Sequence, residues 1–149
     1  MRIALGCDHG GLELKNIIIK HLEDKGIETK DFGTDTAESC DYPDYAIKVA
    51  EEVAAKKFDF GILVCGTGIG ISIAANKVPG VRAALCSDTF SAHATRQHND
   101  ANILAFGARV IGPGLALDIV DTFLNAEFEG GRHQTRIDKI TAIEKKYSK

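Results

Sequence analysis

One thiol in this chain stands where an apolar run meets a glycine-rich turn: Phe60-Gly61-Ile62-Leu63-Val64 leads directly into Cys65-Gly66-Thr67-Gly68-Ile69-Gly70. The apolar run suits a strand covered on both faces, and glycines at alternate positions let backbone N–H groups approach a ligand closely enough to hold an oxyanion. A cysteine beside the start of a helix faces the positive end of its dipole, a setting that favours thiolate over thiol. Cys65 is therefore the leading candidate for a base or nucleophile. Glycines alone would also serve tight strand-to-helix packing; the cysteine ahead of them is what turns the reading toward chemistry. The loop is not G-x-G-x-x-G, because position 71 is Ile71, and it lacks the Lys-Ser/Thr ending of a phosphate-binding Walker loop. Asp88 stands about 20 residues downstream, where a dinucleotide fold places its ribose-binding acid. Capping the next helix explains Asp88 without any ligand.

Further groups with chemical capability occur along the chain. Asp8 and His9 follow the first strand and precede Gly10-Gly11, so the imidazole stands at a helix start, a position that meets phosphates or sugar hydroxyls. His98-Asn99-Asp100 closes a helix that returns from the ligand edge of its sheet. It is expected to lie too far from Cys65 to share a site within one chain: either it only terminates a helix, or it completes the site of a second subunit. His93 and His98 stand five apart, about 140° around a helix, which does not suit two ligands of one metal. Arg132 and Arg136 are four apart after Gly130-Gly131 and share a helix face able to grip a phosphate, although paired surface arginines are more often simply solvated. Arg109, after the last strand, sits in an apolar stretch; a buried or half-buried guanidinium there calls for an anionic partner. His21 and His133 are read as solvated, and Cys40 has no assigned role.

These residues need elements to hold them, and strand and helix patterns alternate along the whole chain. Strands are expected at Arg2–Cys7, Ile27–Phe32, Phe60–Val64, Val81–Leu85 and Ile103–Phe106. Helices are expected from about Gly11 to Lys25, through Ala46, Ile47, Val49, Ala50, Val53 and Ala54 after Pro43, from about Gly70 to Lys77, from Ser87 or Asp88 to about His98, from the Gly112-Pro113-Gly114 segment to Leu124, and after Gly130-Gly131. The alternation predicts an α/β, Rossmann-like three-layer αβα sandwich with a five-stranded parallel sheet and a C-terminal helix, as one domain over 1–149. A strand order 2-1-3-4-5 makes strands one and three neighbours at the switch point, where ligands bind beyond the carboxyl ends. The loop at Asp8-His9 and the loop at Cys65 then meet in one crevice.

Bulk properties exclude several classes. With 149 residues, 44% hydrophobic, 26% charged and a net charge of -3, the chain reads as an ordinary globular protein without the basic footprint of a nucleic-acid binder. No segment approaches the roughly 20 apolar residues that span a bilayer, and no charged leader precedes the first strand, so neither nucleic acid nor membrane is an expected partner and a cytoplasmic location is expected. The four cysteines, Cys7, Cys40, Cys65 and Cys86, form no C-x-x-C pair and imply no disulfide framework; Cys7 and Cys86 read as small buried hydrophobes.

Taken together, Gly6-Cys7-Asp8-His9-Gly10-Gly11, Asp41-Tyr42-Pro43-Asp44-Tyr45, Cys65 through Lys77, His98-Asn99-Asp100-Ala101-Asn102, and Arg132-His133 with Arg136 make a specific combination. Over its whole length the chain resembles the ribose-5-phosphate isomerase B family, which also contains the galactose-6-phosphate isomerase subunits. The resemblance implies an isomerase of the pentose phosphate pathway that interconverts ribose 5-phosphate and ribulose 5-phosphate without metal or cofactor. It also implies a homodimer or dimer of dimers with sites at the subunit interface. Carried onto this sequence, Cys65 is the base between C2 and C1, and the amides of Gly66, Thr67, Gly68, Ile69 and Gly70, with Thr67, hold the enediolate oxygen. His98 opens the furanose ring. Asp8, His9, Tyr42 and Asn99 position the sugar, while Arg109, Arg132 and Arg136, with His9, face the phosphate. Relatives lacking the cysteine use a glutamate in the glycine loop; here no carboxylate lies between Cys65 and Ser72. The alternatives are an isomerase of a six-carbon aldose phosphate, such as allose 6-phosphate or galactose 6-phosphate, and a non-catalytic sugar-phosphate sensor on the same fold.

Overall fold

The computed structural model describes all 149 residues. Five parallel strands, β1 (Arg2–Cys7), β2 (Glu28–Asp31), β3 (Phe60–Cys65), β4 (Ala83–Leu85) and β5 (Ile103–Gly107), form one sheet. Six α-helices surround it: α1 (Leu12–Asp24), α2 (Tyr42–Ala54), α3 (Ile69–Ala75), α4 (Thr89–Asn99), α5 (Pro113–Asn125) and α6 (Arg132–Tyr147). None of them is long and apolar enough to cross a membrane. The α/β sandwich expected from the alternating pattern is thus present, with every predicted strand and helix in its place.

Side chains alternate between the two faces of each strand, and this period divides the core. Ile3, Leu5, Cys7, Ile62 and Val64 point to one face, where they pack with Leu14, Ile18 and Leu22 of α1 and with Ala116, Ile119, Val120 and Phe123 of α5. Ala4, Leu63, Cys65, Ile103 and Ala105 point to the other, against Ala46, Val49, Ala50 and Val53 of α2 and Ile71 and Ala75 of α3. Each fully buried Leu, Ile, Val or Phe side chain contributes about 1.5 to 3 kcal/mol, so these two apolar layers dominate the stability of the sheet. Ile47, expected on the apolar stripe of α2, is 47% exposed instead.

The strand order is β2-β1-β3-β5-β4 rather than the expected 2-1-3-4-5. Burial explains the exchange. All five residues of β5 are buried, whereas the three residues of β4 are half-buried or exposed. A continuous buried apolar strand belongs between two neighbours, and a short, partly exposed one belongs at the edge. The neighbours β1 and β3 are as expected, and their chains leave in opposite directions, which creates the switch-point crevice beyond Cys7 and Cys65. Glycines draw α2 close onto the sheet: a Cβ on Gly61 would come 2.7 Å from Val49 Cγ1, and one on Gly6 2.9 Å from Val49 Cγ2.

Candidate active site

The loops after β1 and β3 meet as predicted. Asp8 is buried, and its carboxylate accepts the amide N–H of Gly10 at 2.9 Å, capping the short 3-10 turn His9–Gly11. A Cβ on Gly10 would lie 3.3 Å from the amide nitrogen of Gly66, so the two loops touch through glycine. His9 is held from a third segment: its Nδ1 accepts the amide N–H of Cys40 at 3.2 Å, with the Cys40 sulfur 3.8 Å away. Because Nδ1 accepts, a neutral His9 carries its proton on Nε2 and offers a donor to an anionic oxygen.

Cys65 ends β3 and is 4% exposed in the isolated chain. Its sulfur accepts the amide N–H of Gly68 at 3.1 Å. Gly68 takes φ +79, a left-handed conformation, and a Cβ there would lie 2.6 Å from the backbone of Phe106 in β5. Only glycine fits both the torsion and the space. The Thr67 hydroxyl accepts the amide N–H of Ile69 at 3.2 Å, and both residues stand at the surface. Beyond them, a Cβ on Gly70 would lie 2.5 Å from Cζ of Tyr42, so the first residue of α2 leans on the start of α3. Cys65 lines none of the chain's five cavities, although one lined by Gly10 and Arg109 opens on the same rim.

Arg109 joins this group through its amide, which donates to the Gly66 carbonyl at 3.0 Å, and its guanidinium lies about 3.7 Å from where a Gly66 Cβ would be. It is exposed and makes no ion pair within the chain, whereas the sequence led us to expect a half-buried arginine with an anionic partner. The turn after β5 lifts its side chain out of the apolar stretch that precedes it.

The remaining predicted residues form a second group at the opposite edge of the sheet. His98 and Asn99 end α4, and the Asn99 carbonyl accepts from Nε of Arg82, just before β4, at 3.0 Å. The register pairs Gly61 with Ile103 and Cys65 with Gly107. Four residues of strand, about 13 Å, therefore separate the level where α4 ends from the level of Cys65. Arg132 and Arg136 occupy α6 near His98, exposed and without carboxylate partners in the chain. The chain thus brings together Asp8, His9, Tyr42, Cys65, Gly66, Thr67, Gly68, Ile69, Gly70 and Arg109, and holds His98, Asn99, Arg132 and Arg136 apart from them.

Two histidines are not solvated as their sequence setting suggested. His21 Nε2 lies 2.7 Å from an Asp121 carboxylate oxygen, which tethers α1 to α5. His133 is buried at 8% exposure and stacks on His98, ring centroids 4.4 Å apart and planes 16° from parallel. Loss of hydration, followed by the nearby His98 and the Arg132 charge, holds the His133 imidazole below its usual pKa. Glu129 lies between them, its Oε1 3.7 Å from His98 Nε2 and 3.5 Å from His133 Nε2. Ligand atoms of this trio fall within 4.8 Å of one another. Nearly parallel rings, however, direct their in-plane lone pairs side by side rather than onto one cation.

Comparison with known proteins bears on this arrangement. Residues 3–140 match the family model described as Ribose/Galactose Isomerase. The chain belongs to the ribose/galactose isomerase family. It is 57% identical to ribose-5-phosphate isomerase B of Escherichia coli, over 97% of both chains. A solved ribose-5-phosphate isomerase B from Clostridium thermocellum superposes with a TM-score of 0.98 at 61% identity, covering 99% of this chain and 100% of that one. The Mycoplasma genitalium enzyme, solved with bound ribulose 5-phosphate, superposes at 0.94 with 47% identity, covering 97% and 96%. The chain is accordingly an isomerase, and the resemblance drawn from its motifs holds for family and fold.

Sequence reasoning missed Glu129 and the structural use of His133 and Cys40. No local pattern marks them. Glu129 and His133 meet His98 across 31 and 35 positions of chain, and the Cys40 contact with His9 is a backbone amide that any residue other than proline would supply.

Proposed function

We propose that this protein interconverts D-ribose 5-phosphate and D-ribulose 5-phosphate by moving a proton between C2 and C1 through an enediolate. The observation that carries this reading is the junction of sulfur and amide in one loop, Cys65 Sγ accepting from Gly68 N–H at 3.1 Å, in a chain 57% identical to an enzyme named for that substrate. A hydrogen next to a carbonyl is weakly acidic, so its removal needs a base together with donors aimed at the oxygen that gains charge. Cys65 takes the proton from C2 and returns it to C1 while the hydroxyl proton passes from O2 to O1. Thr67 and the amides from Gly66 to Gly70 hold the oxygen that becomes negative.

Asp8, His9 and Tyr42 position the sugar, and Arg109 with the Nε2 proton of His9 faces the phosphate. His98, Asn99, Arg132 and Arg136 come from a second copy of the chain in a homodimer, with His98 opening the furanose ring. Two features support that assembly. The predicted residues divide between opposite edges of the sheet, and the exposed apolar side chains Ile69, Ile73, Leu85 and Phe90 stand on α3, β4 and α4, next to the Cys65 loop. Exposed apolar groups clustered beside an incomplete site mark a surface that another protein covers.

Formation of ribulose 5-phosphate by wild-type and Cys65→Ala protein tests the reading. Turnover is expected to fall about a hundredfold or more in the variant, with an unchanged circular dichroism spectrum, and to survive treatment with a chelator in the wild type. Substantial isomerisation by Cys65→Ala protein removes the thiol from its role.

A further inference from the structure

The geometry assigns to Glu129 and His133 the work of positioning His98 for ring opening, an inference that rests on the proposed role of His98. Three contacts build the arrangement. The Glu129 amide donates to the Gln97 carbonyl at 3.0 Å, which ties the segment before α6 to the last turn of α4. The His133 amide donates to the Gly130 carbonyl at 3.0 Å, which fixes the first turn of α6. His133 is the buried wall of the stack, with a side chain 10% exposed, and His98 is the presented face, at 45%.

This arrangement does two things for His98. The stack sets the plane of its ring at little entropic cost, since the partner ring is already immobilised by burial. The Glu129 carboxylate lies on the Nε2 side of both rings. Its separations of 3.7 and 3.5 Å are those of a charge contact rather than a short hydrogen bond. A carboxylate on that side favours the tautomer with hydrogen on Nε2 and leaves Nδ1, which has no partner in the chain, as the basic nitrogen. Ring opening then balances: Nδ1 takes the proton of the anomeric hydroxyl, C1–O1 becomes a carbonyl as the C1–O4 bond breaks, and the imidazolium returns the proton to O4. Glu129 stabilises the transient imidazolium and gains no proton. His133 supplies a flat surface and no proton either.

Anomer exchange of ribose 5-phosphate reports ring opening without isomerisation. It is measured by saturation-transfer NMR between the α and β furanose signals, with the dimeric protein carrying Cys65→Ala so that substrate persists. That parent is expected to accelerate exchange, and adding Glu129→Gln or His133→Ala to slow it about tenfold or more. His133→Phe, which keeps a ring to stack on, is expected to retain most of it. In protein with Cys65 intact, Glu129→Gln is expected to leave solvent deuterium entry at C1 of ribulose 5-phosphate within twofold of wild type, because that open-chain sugar needs no ring opening. If the Cys65→Ala parent gives no acceleration, the ring-opening role of His98 falls and takes this inference with it. If the parent accelerates exchange and the Glu129 and His133 variants match it, only this inference falls. It falls as well if ring opening and deuterium entry drop together, since that pattern reports a damaged structure.

Discussion

The four cysteines do not share one environment, and the differences separate the sulfurs chemically. Burial pushes the thiols of Cys7 and Cys86 up to about 11; for Cys7 the Lys15 charge pulls the other way without prevailing. Both are therefore expected to stay unmodified when native protein meets iodoacetamide at pH 8. Half-buried Cys40 is expected to be labelled in the same reaction, and unfolding should release the other two. Peptide mass mapping checks this, and ready native labelling of Cys7 would contradict the packing described. At this scale the sequence was most informative about Cys65, because a thiol before alternating glycines has a local signature. It was least informative about His133, which lies between Arg132 and Gln134 in sequence but stacks in space on His98 of α4.

The elements were legible because their periods are strong: five strands and six helices lie where apolar spacing, Pro43, Asp88 and the glycine stops put them. Asp88 caps α4 by accepting the Ser91 amide N–H at 2.6 Å, a bond that also lowers its carboxyl pKa. The order of β4 and β5 was misjudged although the information was present, since Arg82 interrupts one apolar run and nothing interrupts the other. Lys15 was invisible for a different reason: a lysine among helical charges looks solvated, yet its side chain is 1% exposed, with Nζ 2.6 Å from Asp31 Oδ2 and 3.0 Å from the Thr34 carbonyl. It fastens α1 to the end of β2 and to the segment that leads on to Cys40. Lys15→Ala is expected to lower stability by about 2 to 4 kcal/mol, and Lys15→Met, which keeps most of the buried stem, by less. Urea unfolding checks both; equal effects would mean that the ammonium, rather than the volume, is what matters.

For the whole molecule, the decisive fact is that the predicted catalytic groups sit about a strand's length apart on opposite rims. Mixing inactive Cys65→Ala and His98→Ala proteins under conditions of subunit exchange is expected to restore activity, because each hybrid pair regenerates one site from two intact halves. Random pairing of equal amounts in a twofold assembly gives about a quarter of the wild-type rate. Absence of recovery after exchange has been demonstrated would favour a site built within one chain. On the proposed assembly, the separation of thiol and imidazole makes catalysis a concentration-dependent property. A lone protomer is then expected to be silent toward sugar phosphates, so dilution below the dissociation constant of the pair is expected to lower activity.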